Sequence, residues 1–442
     1  MEGGIVASYR RSSLYSTFNL RDELARGRCS LLLTDFLWCI VTSLTTGVFY
    51  TGFMLSNGMK AVNIGLLSMV PMVCSVFGLL SPMILRRFQK RKTFLLAMRF
   101  AYILLNIGGI TVVPLFSLPQ SVVQILFFVL IFLSNVLLFI FDPGFVEWHI
   151  NYYPDNVRLS FFSFKLIASG VMSAVTLLVS GLITDSVSGS DNELGVIIVL
   201  RFVAFGVAVF QNFFVFGRMK EFPYKTPEDG GKKTSLLVAL KYKRFLLTIA
   251  LYCGWCFAAN LPSSSWDVYM LQNIGAKYSF LNAVQALYAL FPLLLTVFWK
   301  KLISKMRWLK AYALSVMIYG PAVMLFIFLQ PSNYVFLYIV IKLLAFFASV
   351  GLNITAANIL YLNIPEENRT SCVAFYTMAA NLCSFAGMGL GTLYLGVTEG
   401  MSFSMLGLTV SNLQLSVFIH GAAVLALGII SMWAAPKLEK SE

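Results

Sequence analysis

Residues 37–60 read LWCIVTSLTTGVFYTGFMLSNGMK, and residues 254–277 read GWCFAANLPSSSWDVYMLQNIGAK. The two stretches align without gaps at an offset of 217. Trp38 falls on Trp255, Cys39 on Cys256, Gly58 on Gly275 and Lys60 on Lys277. A second correspondence lies further along each half. INYYPDNVRLS (150–160) stands 211 residues before YLNIPEENRTS (361–371), and each places Pro-x-x-x-Arg after a long apolar run. The two offsets differ by only a few residues, the size of a loop deletion. One such match could be chance; two in the same order mean that one unit is written twice.

Composition says what kind of unit this is. Of the 442 residues 58% are apolar and 12% charged, whereas ordinary soluble domains are about 25% charged. Apolar runs long enough to cross a bilayer, about 20 residues, recur along the chain. The runs are continuously apolar rather than alternating, which argues for helices and against a membrane barrel. Twelve spans are predicted: 31–54, 62–85, 94–116, 121–150, 160–184, 194–217, 245–271, 279–299, 311–330, 334–362, 371–397 and 412–435. The predicted fold class is therefore all-α integral membrane, with two six-helix repeats at 31–217 and 243–435. A tail (1–30), a polar linker (218–242, containing TPEDGGKKTS) and a second tail (436–442) complete the chain. The first thirty residues hold five Arg and no apolar core, so a cleavable leader is not expected there.

The net charge of +14 is unevenly placed. Of 33 Lys and Arg, 27 lie in the two tails or in alternate connections, RRFQKRK (86–92) and KKLISKMRWLK (300–310) among them. The opposite connections carry only Lys60 and Lys277. Positive loops stay cytoplasmic, so both termini are expected inside, as an even span count requires. This distribution is an orientation signal and argues against nucleic-acid binding; membrane lipid is the expected neighbour of the basic loops. CGWC (253–256) has redox-like spacing but falls inside span 7, where small apolar packing is the expected role. His149 and His420 lie in separate halves, so no histidine metal site is expected. No P-loop pattern is present, and AGMGLG (386–391) follows no strand, so its small residues point to close helix packing rather than a nucleotide. No cofactor is expected.

Twelve spans as six plus six, a polar linker and a basic loop after span 2 resemble the major facilitator superfamily over about residues 31–435. That family's loop between spans 2 and 3 runs roughly Gly-x-x-x-Asp-Arg-x-Gly-Arg-Arg; here the stretch is SPMILRRFQKRK (81–92). Arg87 matches the family Arg, and Lys90, Arg91 and Lys92 its basic cluster. Arg86 stands where the family has Asp and Gln89 where it has Gly, so the family's Asp-based lock is not carried over. Span 5 lacks the Gly-Pro pair of the drug antiporters. The resemblance implies a secondary transporter whose spans 1, 4, 7 and 10 line the solute path, with two bundles rocking about it. Monomers are expected. Both Pro-x-x-x-Arg stretches look like loops of that family: Pro154 and Pro365 end one helix, and Asp155, Glu366 and Glu367 stand near the start of the next. They are structural cytoplasmic loops or inner gates, and Arg87, Arg158 and Arg369 are the gating candidates. The rival reading is a polytopic acyl or glycosyl transferase. It lacks support because the longest polar loop is short and carries no His.

Charges within spans face a cavity, a partner or a helix end, because each costs at least about 2.5–3.5 kcal/mol at the bilayer centre; they are structural pairs and snorkelling side chains, or a site for substrate or proton. Asp35, Asp142, Glu147, Lys165, Asp267 and Lys342 form this set, and five of the six lie on spans 1, 4, 7 and 10. At about 1.5 Å per residue, Glu147 and Lys165 reach the same depth, roughly 10 Å from the inner mouth, so they can pair. Asp267 can pair with Lys342. Asp35, a turn into span 1, is expected to reach water, while Arg99 and Arg201 are assigned to supporting spans. The repeat puts Asp142 over Asn353 and Glu147 over Asn358, acids in one half and amides in the other. This difference suits an asymmetric site for one polar or cationic small organic solute, with Glu147 or Asp142 as proton carrier. In NLPSSSWDVYM (260–270), Pro262 permits a kink, and Trp266 offers a stacking face. The expected location is the inner membrane of a bacterium.

Overall fold

The computed structural model describes residues 18, 22–85, 87–88, 90–153, 155–186, 192–222, 236–359, 363, 369–405 and 408–439. Among these, eleven helices are long and apolar enough to cross a membrane. In chain order they are α1 (Glu23–Ser56), α2 (Ala61–Gly78), α3 (Lys92–Leu115), α4 (Gln120–Ile150), α5 (Phe164–Asp185), α6 (Glu193–Arg218), α7 (Lys243–Asn273), α9 (Trp308–Phe328), α10 (Tyr334–Ala356), α11 (Phe375–Val397) and α12 (Asn412–Leu438). Between α7 and α9 runs α8, Tyr278–Met306, whose 29 residues exceed the length a span needs. The twelve helices match the twelve predicted spans in order. The small antiparallel hairpin of β1 (Ser402–Met405) and β2 (Leu408–Ser411) lies between α11 and α12 and was not anticipated from the sequence.

The loop residues Pro154, Pro365, Glu366 and Glu367, and most of the linker, lie outside the described residues. Arg158 lies in the first turn of the helix Asp155–Asp185 and Arg369 begins the helix Arg369–Val397; the side chains of both lie outside the described residues.

The repeat is visible in the backbone. Gly58 and Gly275 both take positive φ, +71° and +69°, the left-handed turn that lets a helix end without a Cβ clash. It is visible in packing too. Trp38 lies 6.5 Å from Tyr102 on α3, and at the same offset of 217 Trp255 lies 5.2 Å from Tyr319 on α9.

The chain divides into two compact units. Unit 1 comprises Met1–Gly58, Val73–Pro227 and Lys277–Leu290. Its core gathers Leu95 from α3, Phe141, Phe145 and Trp148 from α4, and Phe216 from α6. Trp148 Nε1 and the Tyr152 hydroxyl both donate to the Lys220 carbonyl at 2.8 Å, fixing the exit from α6. Unit 2 comprises Met59–Met72, Glu228–Ala276 and Phe291–Glu442. Here Gly320 on α9 faces Gly421 on α12 so closely that a Cβ on Gly320 would meet the Gly421 oxygen at 2.8 Å. Gly387 and Gly391 do the same against the Phe257 and Leu261 carbonyls of α7. In lipid, where apolar surface alone does not drive helices together, such contact between backbones supplies the packing. Pro262 has the expected effect: α7 is interrupted after Asn260, with Ser263 at φ +51°, before it resumes at Ser265.

Candidate functional site

A cavity of about 330 Å³ opens inside unit 1. Its charged lining is Asp35 from α1, Arg99 from α3, Asp142 from α4 and Lys165 from α5. Trp38, Tyr102, Phe145, His149, Gln211 and Phe216 are among the residues that wall them in.

Lys165 Nζ lies 2.9 Å from Asp35 Oδ2. Depth along the helices allowed Lys165 to meet Glu147, but that pair is not formed, and Asp35 is not left to water. Glu147 instead bonds Arg91 at the end of the loop between α2 and α3. The physical reason is direction. Glu147 follows Asp142 by five residues, about 140° further round α4 at 3.6 residues per turn, so the two acids cannot share a face. Asp142 turns to the cavity and Glu147 away from it. The loop is tied further by Glu221 Oε1, which accepts from the backbone N–H groups of Arg91 and Lys92 at 2.6 and 2.8 Å. Of the gating candidates, Arg87 is exposed on this loop, its backbone N–H donating to Ile84 at 3.1 Å.

Arg99 is the residue that sequence reasoning missed by assigning it to a supporting span. Its Nη2 donates to Gln211 Oε1 at 2.7 Å. Its guanidinium lies 4.9 Å from the Trp38 ring, 5.3 Å from Phe145 and 4.6 Å from Phe216. Three ring faces hold the charge in place by cation–π attraction. His149 stacks on Phe216 at 5.4 Å and 8°, and its Nε2 is buried without a hydrogen-bond partner among the described residues. Asp142 makes no hydrogen bond or ion pair among the described residues, although Arg99 lies within its electrostatic reach.

The second half shows what these positions hold when the site is absent. At the offset of 217, Asp35 corresponds to Tyr252 and Arg99 to Val316. At the offset of 211, Asp142 corresponds to Asn353 and Lys165 to Tyr376. Where unit 1 has the Asp35–Lys165 ion pair, unit 2 has Tyr252 stacked on Tyr376 at 5.2 Å. Comparing the halves beyond span 1 would have exposed Arg99, since its equivalent is a fully buried valine.

The other candidates lie in unit 2. Lys342 Nζ sits 4.4 Å over the Trp266 ring and 5.3 Å over Tyr338, with Asp267 in electrostatic reach. Trp266 also meets Phe326 edge-on at 4.7 Å. Asn353 is exposed on the helix Tyr334–Ile359. Asn358 donates to the Ile354 carbonyl at 2.8 Å and lines a wider cavity of about 910 Å³ with Arg244, Lys300 and Arg307.

A family model described as Major Facilitator Superfamily matches residues 31–388. No curated protein matches the sequence. Among solved structures, a mutant of the nucleoside transporter NupG superposes with a TM-score of 0.71 at 12% identity, covering 92% of this chain and 99% of that one. A bacterial homologue of the iron transporter ferroportin, in an inward-facing state, gives 0.66 at 14%, covering 94% and 100%. A D-xylose–proton symporter gives 0.60 at 14%, covering 94% and 99%. At these identities the likeness is one of fold.

Proposed function

The chain belongs to the major facilitator superfamily, and from that premise we propose that it is a secondary active transporter moving a small polar organic solute by alternating access, coupled to protons. It is a multi-pass membrane transporter rather than an enzyme, so the transferase reading is set aside. The observation that carries the proposal is the charged cavity of unit 1. Asp35, Arg99, Asp142 and Lys165 line one space of about 330 Å³, within the range of roughly 300–1,000 Å³ that small-molecule sites occupy. The neutral equivalents in unit 2 speak against a purely structural need for these charges.

Asp142 and Asp35 are the proton carriers of this reading. A proton on Asp35 would release Lys165; a proton on Asp142 would cancel an unpaired charge. Either event changes the electrostatics of the cavity by one unit, enough to couple solute occupancy to protonation. Glu147, bonded to Arg91, belongs to the loop anchor instead. The domain scheme, with bundles at 31–217 and 243–435 and a linker between them, remains part of the proposal. So do a bacterial inner-membrane location, cytoplasmic termini and a monomer. The asymmetric placement of the 27 loop and tail cations supports the orientation.

The test is solute-driven proton movement in proteoliposomes containing a trapped pH dye. Wild type should move protons with its solute. Asp142→Asn should bind solute more weakly and lose the proton signal, and Glu147→Gln should keep both. Solute flux that neither moves protons nor responds to a pH gradient would exclude proton coupling.

A further inference from the structure

The cavity of unit 1 has a charge pattern that narrows its solute. Four ionic groups line it, two of each sign. Asp35 and Lys165 satisfy one another at 2.9 Å. Asp142 and Arg99 do not. They lie in electrostatic reach, yet among the described residues no ion pair joins them. Arg99 is held back by Trp38, Phe145 and Phe216, at 4.6–5.3 Å, and by Gln211. Only its Nη2 is used by Gln211; a guanidinium has five N–H donors. A carboxylate and a guanidinium therefore face one cavity with unused capacity and without closing on each other.

We infer that the solute is a zwitterion, with its ammonium group on Asp142 and its carboxylate on Arg99. The inference rests on the transporter reading of the same cavity. A singly charged solute would leave one unmatched charge in a space whose own four charges cancel. A neutral solute that displaced water from the cavity would leave Asp142 and Arg99 both unanswered, and an ionic group cut off from water is stable only when paired or hydrogen-bonded. A zwitterion satisfies both and keeps the sum at zero. The arginine fork suits a planar carboxylate. His149 Nε2, buried and without a partner among the described residues, lines the same space and offers one more polar contact. Trp38, Tyr102, Phe145 and Phe216 give the solute's carbon skeleton apolar walls. The fold does not require these charges, since the equivalent positions are Tyr252, Val316, Asn353 and Tyr376.

The experiment uses the purified full-length protein and two matched sets of probes. One set is 4-aminobutyrate, butylammonium, butyrate and butyramide. The other is L-phenylalanine, phenethylammonium, 3-phenylpropionate and 3-phenylpropanamide. Binding is read by thermal stabilisation across a concentration series, and transport by counterflow in proteoliposomes. The expected result is that a zwitterion binds at least tenfold more tightly than the member lacking either charge. In Asp142→Asn, which copies the amide found at Asn353, the zwitterion should lose its advantage over its amine-free partner. It should keep its advantage over the carboxylate-free one. Arg99→Gln should show the opposite loss, and if it does not fold, Asp142→Asn decides alone. A neutral or singly charged member that binds as tightly as its zwitterion overturns the inference and leaves the transporter standing. So does a protein that binds no probe but carries another, non-zwitterionic solute. A protein that carries no solute of any class overturns both.

Discussion

Asp185, the last residue of α5, accepts the backbone N–H of Tyr278 on Oδ1 at 2.9 Å and that of Ser279 on Oδ2 at 3.1 Å. The carboxylate thus caps the first turn of α8, a helix that begins ninety-three residues later in the chain, in the second sequence repeat. The other repeat has a related arrangement. Lys60, just before α2, lies 2.8 Å from Glu399, just after α11. The two contacts differ in strength. The first satisfies two backbone donors that have no partner within their own helix. The second joins side chains that are 67% and 51% exposed, where ion pairs contribute little. Asp185→Ala should destabilise the purified protein by about 1 kcal/mol, in the range of lost helix caps, with Asp185→Asn less affected. Lys60→Gln should change stability by less than about 0.5 kcal/mol. Denaturation of the three variants in one detergent tests the contrast, and equal losses would contradict it.

The Asp35–Lys165 pair should behave as a unit. Its side chains are 26% and 32% exposed, so removing one partner leaves a charge that water can only partly solvate. Lys165→Met should cost about 1–3 kcal/mol, below the 3–5 kcal/mol of fully buried pairs. The double variant Asp35→Tyr, Lys165→Tyr reproduces the Tyr252–Tyr376 stack and should recover part of that loss. A double-mutant cycle measures the coupling; additive losses would mean the pair is not coupled.

Glu221 should matter more than its surface position suggests. It accepts from the N–H of Arg91, just before α3, and from that of Lys92, its first residue, while Lys92 Nζ reaches the Gly217 and Met219 carbonyls at 2.8 and 2.6 Å. Glu221→Ala should cost about 1–2 kcal/mol through the lost cap. It should also speed protease cleavage near residues 86–92. Unchanged cleavage would show that Glu221 does not hold the loop.

Glu439, just past α12, accepts the Leu309 N–H on Oε1 at 2.7 Å, while its Oε2 is buried without a partner among the described residues. Burial raises this carboxyl above the usual range, against the opposing pull of the Leu309 N–H, Arg307 and Lys310. A raised folded value means the native state binds the proton more tightly than the unfolded chain. The stabilisation is present at low pH and is lost as pH rises through the folded value. Between pH 7 and the ordinary glutamate value of about 4.3, wild type should gain stability at this site as pH falls. Glu439→Gln should flatten that part of the profile. A variant whose melting temperature tracks wild type across the window would exclude the group.

The sequence alone determined the twelve spans, the two repeats and the family, because lipid admits continuous apolar helices and because the offset alignment keeps its register. Even the left-handed turns at Gly58 and Gly275 follow from aligned glycines. What it could not determine was the partner of each membrane charge. Depth along a helix is readable from residue counts, but direction around the helix and the neighbour across the gap depend on packing. So Lys165 met Asp35 rather than Glu147, and Arg99, assigned to a supporting span, came to lie among three rings facing Asp142. A charged cavity is a property of five helices at once, and no single stretch of sequence contains it.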